Sequence, residues 1–349
     1  MAIATLADLF TPDIWIPGMR ERQATRPALM NSGIVTTTPE FNTLAAGGGI
    51  SVNVPFYKDI TAQVDEIQVE DTAPTTINGI TTGLQVAPML NRVTKNAATA
   101  LSGGVSGTDP VAEMIDQLAD RRLKQRQTTI INILRGLFGS GGARNGAGCL
   151  SGVRLGGTTA ERFDEAGETP SDDNLISPDM FIDAKTLLGE LEDLLVGGAF
   201  LCHPNVKARL EKLDALNFKT GVPSDLPFKI TTYRGVPLFT SSALVRAGTT
   251  SGYVYDSYLI SRGAIAYGEK PQNNVIGEVS SLVLDGDADK NNQFIYDRTR
   301  FLALLSGTKW GGSPAGQSAT NAELATVGNW TLVFTSADRC GAVCFRTNG

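Results

Sequence analysis

The segment from Lys58 to Ala100 places the strongest constraint on how this chain can fold. It is rich in threonine, asparagine, aspartate and glycine and holds few large apolar residues, so it cannot supply a core of its own. A stretch of about 40 such residues would be unusual inside a compact domain, where unstructured connections rarely exceed roughly 15 residues. We therefore predict that residues 47–103 form a long two-stranded excursion whose partner surface lies elsewhere in an assembly.

A strand leads into this excursion after the glycine run at 47–49. Apolar and polar side chains alternate from Ile50 to Tyr57, as they do in a strand with one exposed face. Pro55 has no amide hydrogen to donate to a second neighbouring strand, so it predicts an edge position.

The chain before the excursion has the pattern of an extended arm. Residues 1–46 contain scattered apolar residues among four prolines, and no period of two or of 3.6 persists. We expect the arm to pack on another part of the assembly. Its first residues lack the basic leader and continuous apolar stretch of a signal peptide, so we expect no export by a standard signal.

A long helix is predicted after the excursion. Asp109 is a suitable N-cap, and Pro110 is a suitable first helical residue. Apolar residues then recur at helical spacing, at Val111, Ile115, Leu118, Ile130, Leu134 and Leu137. A glycine-rich segment from Gly136 to Gly148 ends the helix, and we expect an exposed acidic loop to follow.

The remainder of the chain alternates between helix and strand patterns. A helix is predicted from Ser177-Pro178 to Gly197-Gly198, a short strand over Ala199–Cys202, and another helix after Pro204. Further strand patterns cover Val236–Thr240, Tyr253–Ile260, Val275–Leu284, Phe301–Leu305 and Trp330–Phe334. These patterns assign the chain to the α+β class.

Composition excludes several classes of protein. Thirty basic residues against 36 acidic residues give a net charge of −6, so the overall field repels nucleic acid and any DNA contact must be local. No window reaches the roughly 18 consecutive apolar residues of a membrane span, so we expect no membrane partner. Four cysteines in 349 residues are too few for a secreted disulfide scaffold and predict synthesis in a reducing compartment.

The single histidine limits the hydrolase mechanisms open to this chain. A serine or cysteine nucleophile with a histidine base would need His203. Its neighbour Cys202 is expected on the opposite face of a strand, where the two side chains do not readily share a hydrogen bond. We interpret His203 as a structural residue at a strand-to-helix turn and predict no catalytic residues.

Two motifs have the composition of a ligand site without its full pattern. Asp285, Asp287 and Asp289 alternate like the start of a calcium loop, but lysine occupies the position that requires glycine, and tyrosine stands where the bidentate glutamate belongs. An exposed acidic turn is the favoured interpretation. Gly136–Gly148 lacks the Gly-Lys-Ser/Thr of a phosphate-binding loop. We therefore predict no metal and no cofactor.

The cysteines show no zinc-binding spacing. Cys149 and Cys202 lie far upstream of Cys340 and Cys344, which are four residues apart. Buried thiols are expected, and a Cys340–Cys344 disulfide is the alternative that the spacing leaves open.

One dense basic cluster lies in the middle of the long helix, at Arg121, Arg122, Lys124 and Arg126. No aromatic residue is interleaved to stack on bases. The cluster is interpreted as a solvated or salt-bridging helix face. The functional alternative is a face that lines packaged DNA or the acidic loop of another subunit.

The order of these segments resembles the major capsid proteins of tailed bacteriophages with the Hong Kong 97 fold, over nearly the whole chain. Three phrases are also similar to that family: Val54-Pro55-Phe56-Tyr57-Lys58-Asp59, His203-Pro204-Asn205-Val206 and Arg234-Gly235-Val236-Pro237-Leu238. The resemblance implies an N-terminal arm (1–46), a long β-hairpin called the E-loop (47–103), a peripheral domain with a spine helix and an exposed loop (104–175), a mixed α/β axial domain (176–305), and C-terminal strands that return to the peripheral domain (306–349).

The resemblance also implies a function that is structural and not enzymatic. Such a chain self-assembles as hexamers and pentamers into an icosahedral shell around a double-stranded DNA phage genome, within the virion, after assembly in the host cytoplasm. Implied partners are a portal, a maturation protease or decoration protein, and packaged DNA contacted non-specifically on the inner face. Because no long charged segment precedes the arm, we expect scaffolding to come from a separate protein.

Some members of that family cross-link a hairpin lysine to an asparagine of a neighbouring subunit. Lys58 and Lys95 are the donors that this chain offers, although a lysine on an exposed hairpin also protects a strand edge from unwanted pairing. Two other functions stay open. One is a cellular nanocompartment shell of the same fold, and the other is an α/β enzyme, which requires a pocket with convergent titratable groups.

Overall fold

A computed structural model describes most of the chain. The described residues are 34–58, 67, 70, 79–97, 110–139, 152–156, 159–161, 175–221, 230–247, 252–273, 275, 278–287, 292–335 and 338–348.

The structure describes five helices, and the four whose preceding residue is described each begin at a capping side chain. The five are α1 (Pro39–Ala46), α2 (Pro110–Leu137), α3 (Pro178–Thr186), α4 (Pro204–Leu213) and α5 (Asn321–Ala325). The side chains of Thr38, Ser177 and His203 each accept a hydrogen bond from a backbone amide of the first turn, and proline follows each of them. The prediction of one long helix is confirmed by the 28-residue α2, whereas its expected cap, Asp109, lies outside the described residues.

The described strands form two sheets. They are β1 (Val35–Thr37), β2 (Ser51–Tyr57), β3 (Thr82–Ala97), β4 (Gly152–Gly156), β5 (Thr159–Glu161), β6 (Ala199–Cys202), β7 (Phe218–Gly221), β8 (Ile230–Tyr233), β9 (Val236–Thr240), β10 (Val245–Ala247), β11 (Tyr253–Ile260), β12 (Ile265–Glu269), β13 (Ser281–Asp287), β14 (Asn292–Leu305), β15 (Thr308–Trp310), β16 (Trp330–Leu332) and β17 (Ala342–Thr347).

The first sheet has the order β1-β12-β14-β3-β15-β16, with β13 paired to β14 and β2 paired to β3. The second sheet has the order β5-β4-β17-β11-β6-β9-β8-β7, with β10 paired to β11. The two sheets account for the predicted α+β class, since long antiparallel pairings combine with helices that pack on them.

Helix α2 connects the two sheets through one hydrophobic core. Its buried residues Ile130, Leu134 and Leu137 belong to the same cluster as Leu302 of the first sheet and Tyr258 of the second sheet. A second cluster lies between the second sheet and α3 and α4. It contains the ring pairs Phe181–Phe200 at 5.1 Å, Phe181–Tyr233 at 4.8 Å and Phe200–Phe345 at 5.8 Å between centroids. Packed side chains therefore stabilise both the junction of α2 with the two sheets and the contact of the second sheet with α3 and α4.

The two-stranded excursion is shorter than predicted. β2 alternates between exposed and half-buried residues and pairs with β3 alone among the described strands, so its half-exposed pattern and its edge position are confirmed. β3, however, is one continuous strand whose residues 86–90 are buried and whose residues 89–97 pair with β14. The expectation that residues 58–100 hold no core is wrong for this stretch, because its few apolar residues lie together at one crossing of the first sheet.

The chain changes sheets between β11 and β12. β12, β13 and β14, within the range expected to be axial, pair in the first sheet, while β17 pairs with β11 in the second sheet. Apolar strand patterns indicate that a strand exists but do not identify its partner, so the change of sheet has no signal in the sequence.

The predicted helix from 177 to 197 is divided. α3 ends at Thr186, and a 3₁₀ helix covers Gly189–Gly197. Gly189 has a φ of 55°, a left-handed conformation that interrupts an α-helix. Phe181, Ala184 and Leu188 are nevertheless buried as the apolar spacing predicted. The strand predicted over Val275–Leu284 also begins later, at Ser281.

Gly136 allows α2 to approach α5 and β16 closely. The Trp330 indole donates a hydrogen bond to the Leu324 carbonyl at 2.8 Å beside it. A Cβ atom on Gly136 would lie 2.1 Å from that carbonyl oxygen and 2.6 Å from the indole nitrogen. The glycine is therefore required by packing, not by a phosphate loop.

We expect Gly136→Ala to lower the free energy of unfolding by about 1–2 kcal/mol, because overpacking against a backbone oxygen outweighs the gain of about 1 kcal/mol in helix propensity. Urea unfolding of the unassembled chain, followed by circular dichroism, measures this. Thr128→Ala, on an exposed position of the same helix, is the control and should cause no loss. Equal stability of the two variants would contradict the packing role.

Candidate assembly surfaces and the charge clusters behind them

The hairpin, which consists here of residues 51–58 and 79–88, carries apolar side chains into solvent. Tyr57, Ile80 and Leu84 are 78%, 66% and 41% exposed. An isolated two-stranded hairpin is marginally stable in water, and exposed apolar area is unfavourable by about 25 cal/mol per Å². This surface is suited to being covered by another chain.

A groove of about 320 Å³ lies at the root of the hairpin. The Phe56 ring covers Gly83, its register partner on β3, and meets the Phe334 ring edge-on at 5.2 Å between centroids. Phe334 in turn covers Gly307, where a side chain would collide with its ring. Two aromatic side chains on two glycines thus form the floor, and the rim includes Tyr57, Lys58, Thr335 and Arg339.

Two of the four residues of the basic cluster on α2 bind the first sheet. Arg122 Nε lies 3.0 Å from Asp297 Oδ2, and Arg126 contacts Glu269, which also accepts a hydrogen bond from the Tyr267 hydroxyl at 2.9 Å. Burial and the Glu269 carboxylate raise the pKa of Tyr267, so its phenol stays protonated as a donor. The prediction of a salt-bridging helix face is confirmed for Arg122 and Arg126.

A second charge cluster centres on Asp256 and joins the end of α2 to the second sheet. Arg246 contacts both carboxylate oxygens, at 2.9 and 3.0 Å, and Arg346 Nε lies 3.0 Å from Oδ1. Arg135 Nε forms a longer ion pair at 3.8 Å. Arg346 also donates to the Phe138 carbonyl, so one carboxylate connects α2, β10, β11 and β17.

The electrostatics of this cluster keep Asp256 ionised. Burial alone would raise the pKa of Asp256, but the positive charges of Arg346, Arg246 and Arg135 lower it below its ordinary value. The carboxylate is 1% exposed, so its charge is compensated by these guanidinium groups and not by water. Sequence reasoning missed this cluster, although an aspartate inside the apolar run from Tyr253 to Ile260 was a signal that could have revealed it.

His203 is structural, as predicted. Its Nδ1 accepts a hydrogen bond from the Asn205 amide at 3.1 Å and caps α4, while its ring lies 4.7 Å from that of Tyr255. Burial lowers the pKa of His203 and raises that of the fully buried Cys202 thiol, so both groups are neutral near pH 7. The neutral thiol and the capping histidine do not form a nucleophile–base pair.

The structure describes only part of the two motifs that have the composition of a ligand site. Asp285 and Asp287 lie in β13 and are paired with Phe294 and Asn292, whereas Asp289 lies outside the described residues, as does most of Gly136–Gly148. Asp285 and Asp287 are therefore strand residues and not the turn that we predicted. Within the described ranges, no three histidine, cysteine, aspartate or glutamate side chains converge as they would to hold a metal ion.

The thiols follow the expectation of burial. Cys202, Cys340 and Cys344 are buried, and none of these three described cysteines forms a disulfide, so the alternative of a Cys340–Cys344 bond is wrong. Burial raises the pKa of Cys344 to about 12. Cys149 lies outside the described residues.

Lys58 and Lys95, the two lysines that could donate a cross-link, differ in their surroundings. Lys58 is exposed at the rim of the groove. Lys95 Nζ lies 3.8 Å from the centre of the Phe294 ring, a cation–π contact that engages its ammonium group within the subunit. A cross-link through either lysine stays a prediction.

Comparison with known proteins identifies the class. The chain is 26% identical over 339 residues to the major capsid protein of Bacillus phage SPP1, across 96% of this chain and 95% of the relative. No protein-family model matches the chain. Its structure is similar to the capsid of Ralstonia phage GP4, with a TM-score of 0.62 at 8% identity over 99% of this chain and 98% of that one. It also resembles the capsid of Cyanophage P-SCSP1u, with a TM-score of 0.53 at 10% identity over 96% and 91%.

The structural likenesses establish the fold, which is the Hong Kong 97-type capsid fold that the segment order predicted. The sequence similarity to the major capsid protein of phage SPP1, which extends along almost the whole chain, indicates the function. The chain is a shell-forming major capsid protein of the tailed-bacteriophage type, it resides in the virion capsid, and its role is structural, not enzymatic. Among the helices that the structure describes, none has both the length and the hydropathy of a membrane span.

We expect Asp256→Asn to lower the free energy of unfolding by about 3–5 kcal/mol, because it leaves three arginines around a neutral side chain in a buried site. Urea unfolding of the unassembled chain measures this. Asp120→Asn, exposed on α2, is the matched control and should change stability by less than about 0.5 kcal/mol. A result for Asp256→Asn within the range of the control would show that the cluster does not hold α2 to the second sheet.

The same cluster predicts a dependence on pH. A carboxyl group whose pKa is lowered by folding stabilises the folded state above its ordinary pKa of about 4, and this contribution is lost as pH falls through the lowered value. The stability difference between the wild-type chain and Asp256→Asn should therefore be constant from pH 7 to about 5 and shrink below about pH 4. Urea titrations of both proteins across this range test it, and a difference that grows in acid would contradict the assigned charge.

Proposed function

We propose that copies of this chain close into an icosahedral shell around a double-stranded DNA genome, with hexamers and pentamers as its capsomers. The observation that carries this proposal is the hairpin, because it leaves the first sheet with apolar side chains in solvent. Contacts in which a projecting segment of one subunit covers a different surface of the next subunit are heterologous, and rotation can close them into rings.

In this proposal the first sheet forms the peripheral domain and the second sheet forms the axial domain. Leu213 and Leu216, at and just beyond the end of α4, are 51% and 93% exposed and support a contact between copies at that end of the second sheet. The hairpin, with Ile80 at its exposed part, then reaches the neighbouring subunit on the peripheral side.

Contact with packaged DNA would be local and independent of sequence. Arg122 and Arg126 form ion pairs within the subunit, so Arg121, which is exposed, and Lys124, which is half-buried, are the members of the basic cluster best placed for phosphate contact. We further propose assembly in the host cytoplasm with a separate scaffolding protein, a portal, and a maturation protease or decoration protein.

We expect Ile80→Asp to abolish assembly while leaving the subunit folded, because it places a charge in an apolar contact between copies but disturbs no buried side chain. Analytical ultracentrifugation and electron microscopy of the full chain, expressed with its scaffolding protein, compare shell yield. Val93→Asp is the matched control. Val93 is 63% exposed and lies on β3 outside the hairpin, in the part of the strand that pairs with β14, so this variant should assemble normally.

Equal shell yield from both variants would contradict the role of the hairpin. Nuclease-protected double-stranded DNA in particles from infected cells supports the genome shell, whereas an enzyme cargo without DNA would identify a cellular compartment.

A further inference from the structure

The charge cluster around Asp256 contains three donor groups without an acceptor. The Nη1 group of Arg346, the Nε–H of Arg135 and the hydroxyl of Tyr258 are buried, and none forms a hydrogen bond in the described part of the chain. Arg135 Nε lies 3.8 Å from the carboxylate, which is too far for a hydrogen bond. A buried donor without a partner is unfavourable, most of all when it carries a charge. Three of them around one carboxylate require an acceptor that the described residues do not supply.

These donors lie on one face of the second sheet, beside the end of α2. Asp256 and Tyr258 are two residues apart on β11, so their side chains share a face. Their register partners on β17 are Arg346 and Cys344, whose side chains lie on the same face. Arg135 reaches the same carboxylate from α2. The donors therefore surround one small region between the helix and the sheet.

This region carries more positive than negative charge. Within the described residues, Arg346 and Arg135 reach no carboxylate other than Asp256. Arg246 already contacts both oxygens of that carboxylate. The Arg346 side chain is only 2% exposed, so water does not compensate its charge. A buried cation is unfavourable unless an anion accompanies it.

An anion suits this region better than a water molecule. Guanidinium groups donate hydrogen bonds and cannot accept them. Burial and the charge of Asp256 raise the pKa of Tyr258, so its hydroxyl keeps its proton and also donates. The nearby acceptors are engaged, since Asp256 accepts from two arginines and the Phe138 carbonyl accepts from Arg346. The Cys344 thiol beside the Tyr258 hydroxyl is only a weak acceptor, so a water molecule would lack good partners for its own hydrogens.

We propose that a monatomic anion such as chloride binds between Arg346, Arg135 and Tyr258 and completes the junction of α2 with the second sheet. The ion accepts charge-assisted hydrogen bonds from both guanidinium groups and a further hydrogen bond from the phenol. An enclosed site favours a small ion, since Tyr258 is fully buried and Arg346 nearly so. Arg135, which is 24% exposed, connects the site to solvent. The site lies within one subunit and does not depend on the proposed shell.

The stability of the unassembled full chain at different chloride concentrations tests this site. Urea unfolding is followed by circular dichroism in about 1 to 300 mM sodium chloride, and sodium gluconate, whose anion is much larger, keeps the ionic strength constant. An ion that binds only the folded chain raises the ratio of folded to unfolded protein. Above the dissociation constant, a tenfold increase in chloride should therefore raise this ratio about tenfold.

Tyr258→Phe distinguishes an occupied site from an empty one. If the ion is bound, the variant loses one donor to it, and the chloride concentration at which stability begins to rise should increase about tenfold or more. If the site is empty, the variant removes an unpaired hydroxyl and should be as stable as the wild type, or more stable, at every chloride concentration. Tyr253→Phe, at the exposed start of the same strand, is the matched control and should keep the wild-type response.

A rise of stability with chloride in the wild type and in Tyr253→Phe, displaced or lost in Tyr258→Phe, supports the site. An equal rise in all three proteins would show that chloride acts elsewhere and would overturn the proposal. Stability of the wild type that is independent of chloride would also overturn it, and a destabilised Tyr258→Phe in that case would identify water as the occupant.

Discussion

One buried carboxylate holds the two halves of this fold together. Asp256 lies on the second sheet, and its arginine partners come from α2, β10 and β17. Because α2 is also paired with the first sheet through Arg122 and Arg126, ion pairs hold the helix at its middle and near its C-terminal end, and apolar packing holds its second half. Buried ion pairs contribute little net stability after desolvation, and we interpret their role here as fixing the angle between helix and sheet.

This arrangement explains how a subunit whose role is structural performs its function. A shell is determined by the directions in which each copy contacts the next, so the relative placement of the two sheets decides where the hairpin and the arm emerge. The hairpin leaves the first sheet beside β3, where β2 has a single partner among the described strands, and β1 lies at one end of the strand order of that sheet. A subunit built in this way has different surfaces at its two ends, as heterologous contacts require. The exposed Tyr57, Ile80 and Leu84 are then unfavourable only in the isolated chain.

Several features were predictable because they depend on local chemistry. Prolines after capping residues located the starts of α3 and α4, and the spacing of Ile130, Leu134 and Leu137 identified the buried face of α2. The prediction that His203 is structural followed from strand geometry and is confirmed by its capping bond. Other features depend on partners far away in sequence. Neither the change of sheet after Ile260, nor the crossing at which residues 86–90 become buried, has a signature in a short window of residues.

The sequence by itself determined the long helix α2, the starts of α3 and α4 and the edge position of β2, because caps and periodicities are encoded within a few residues of one another. Only the tertiary structure decided which strands pair, why Gly136 must be glycine, and where Arg122, Arg135, Arg246 and Arg346 find their carboxylates. The physical reason is that burial and ion pairing act over a few ångströms in space, and residues from 135 to 346 come that close only when both sheets have closed around α2.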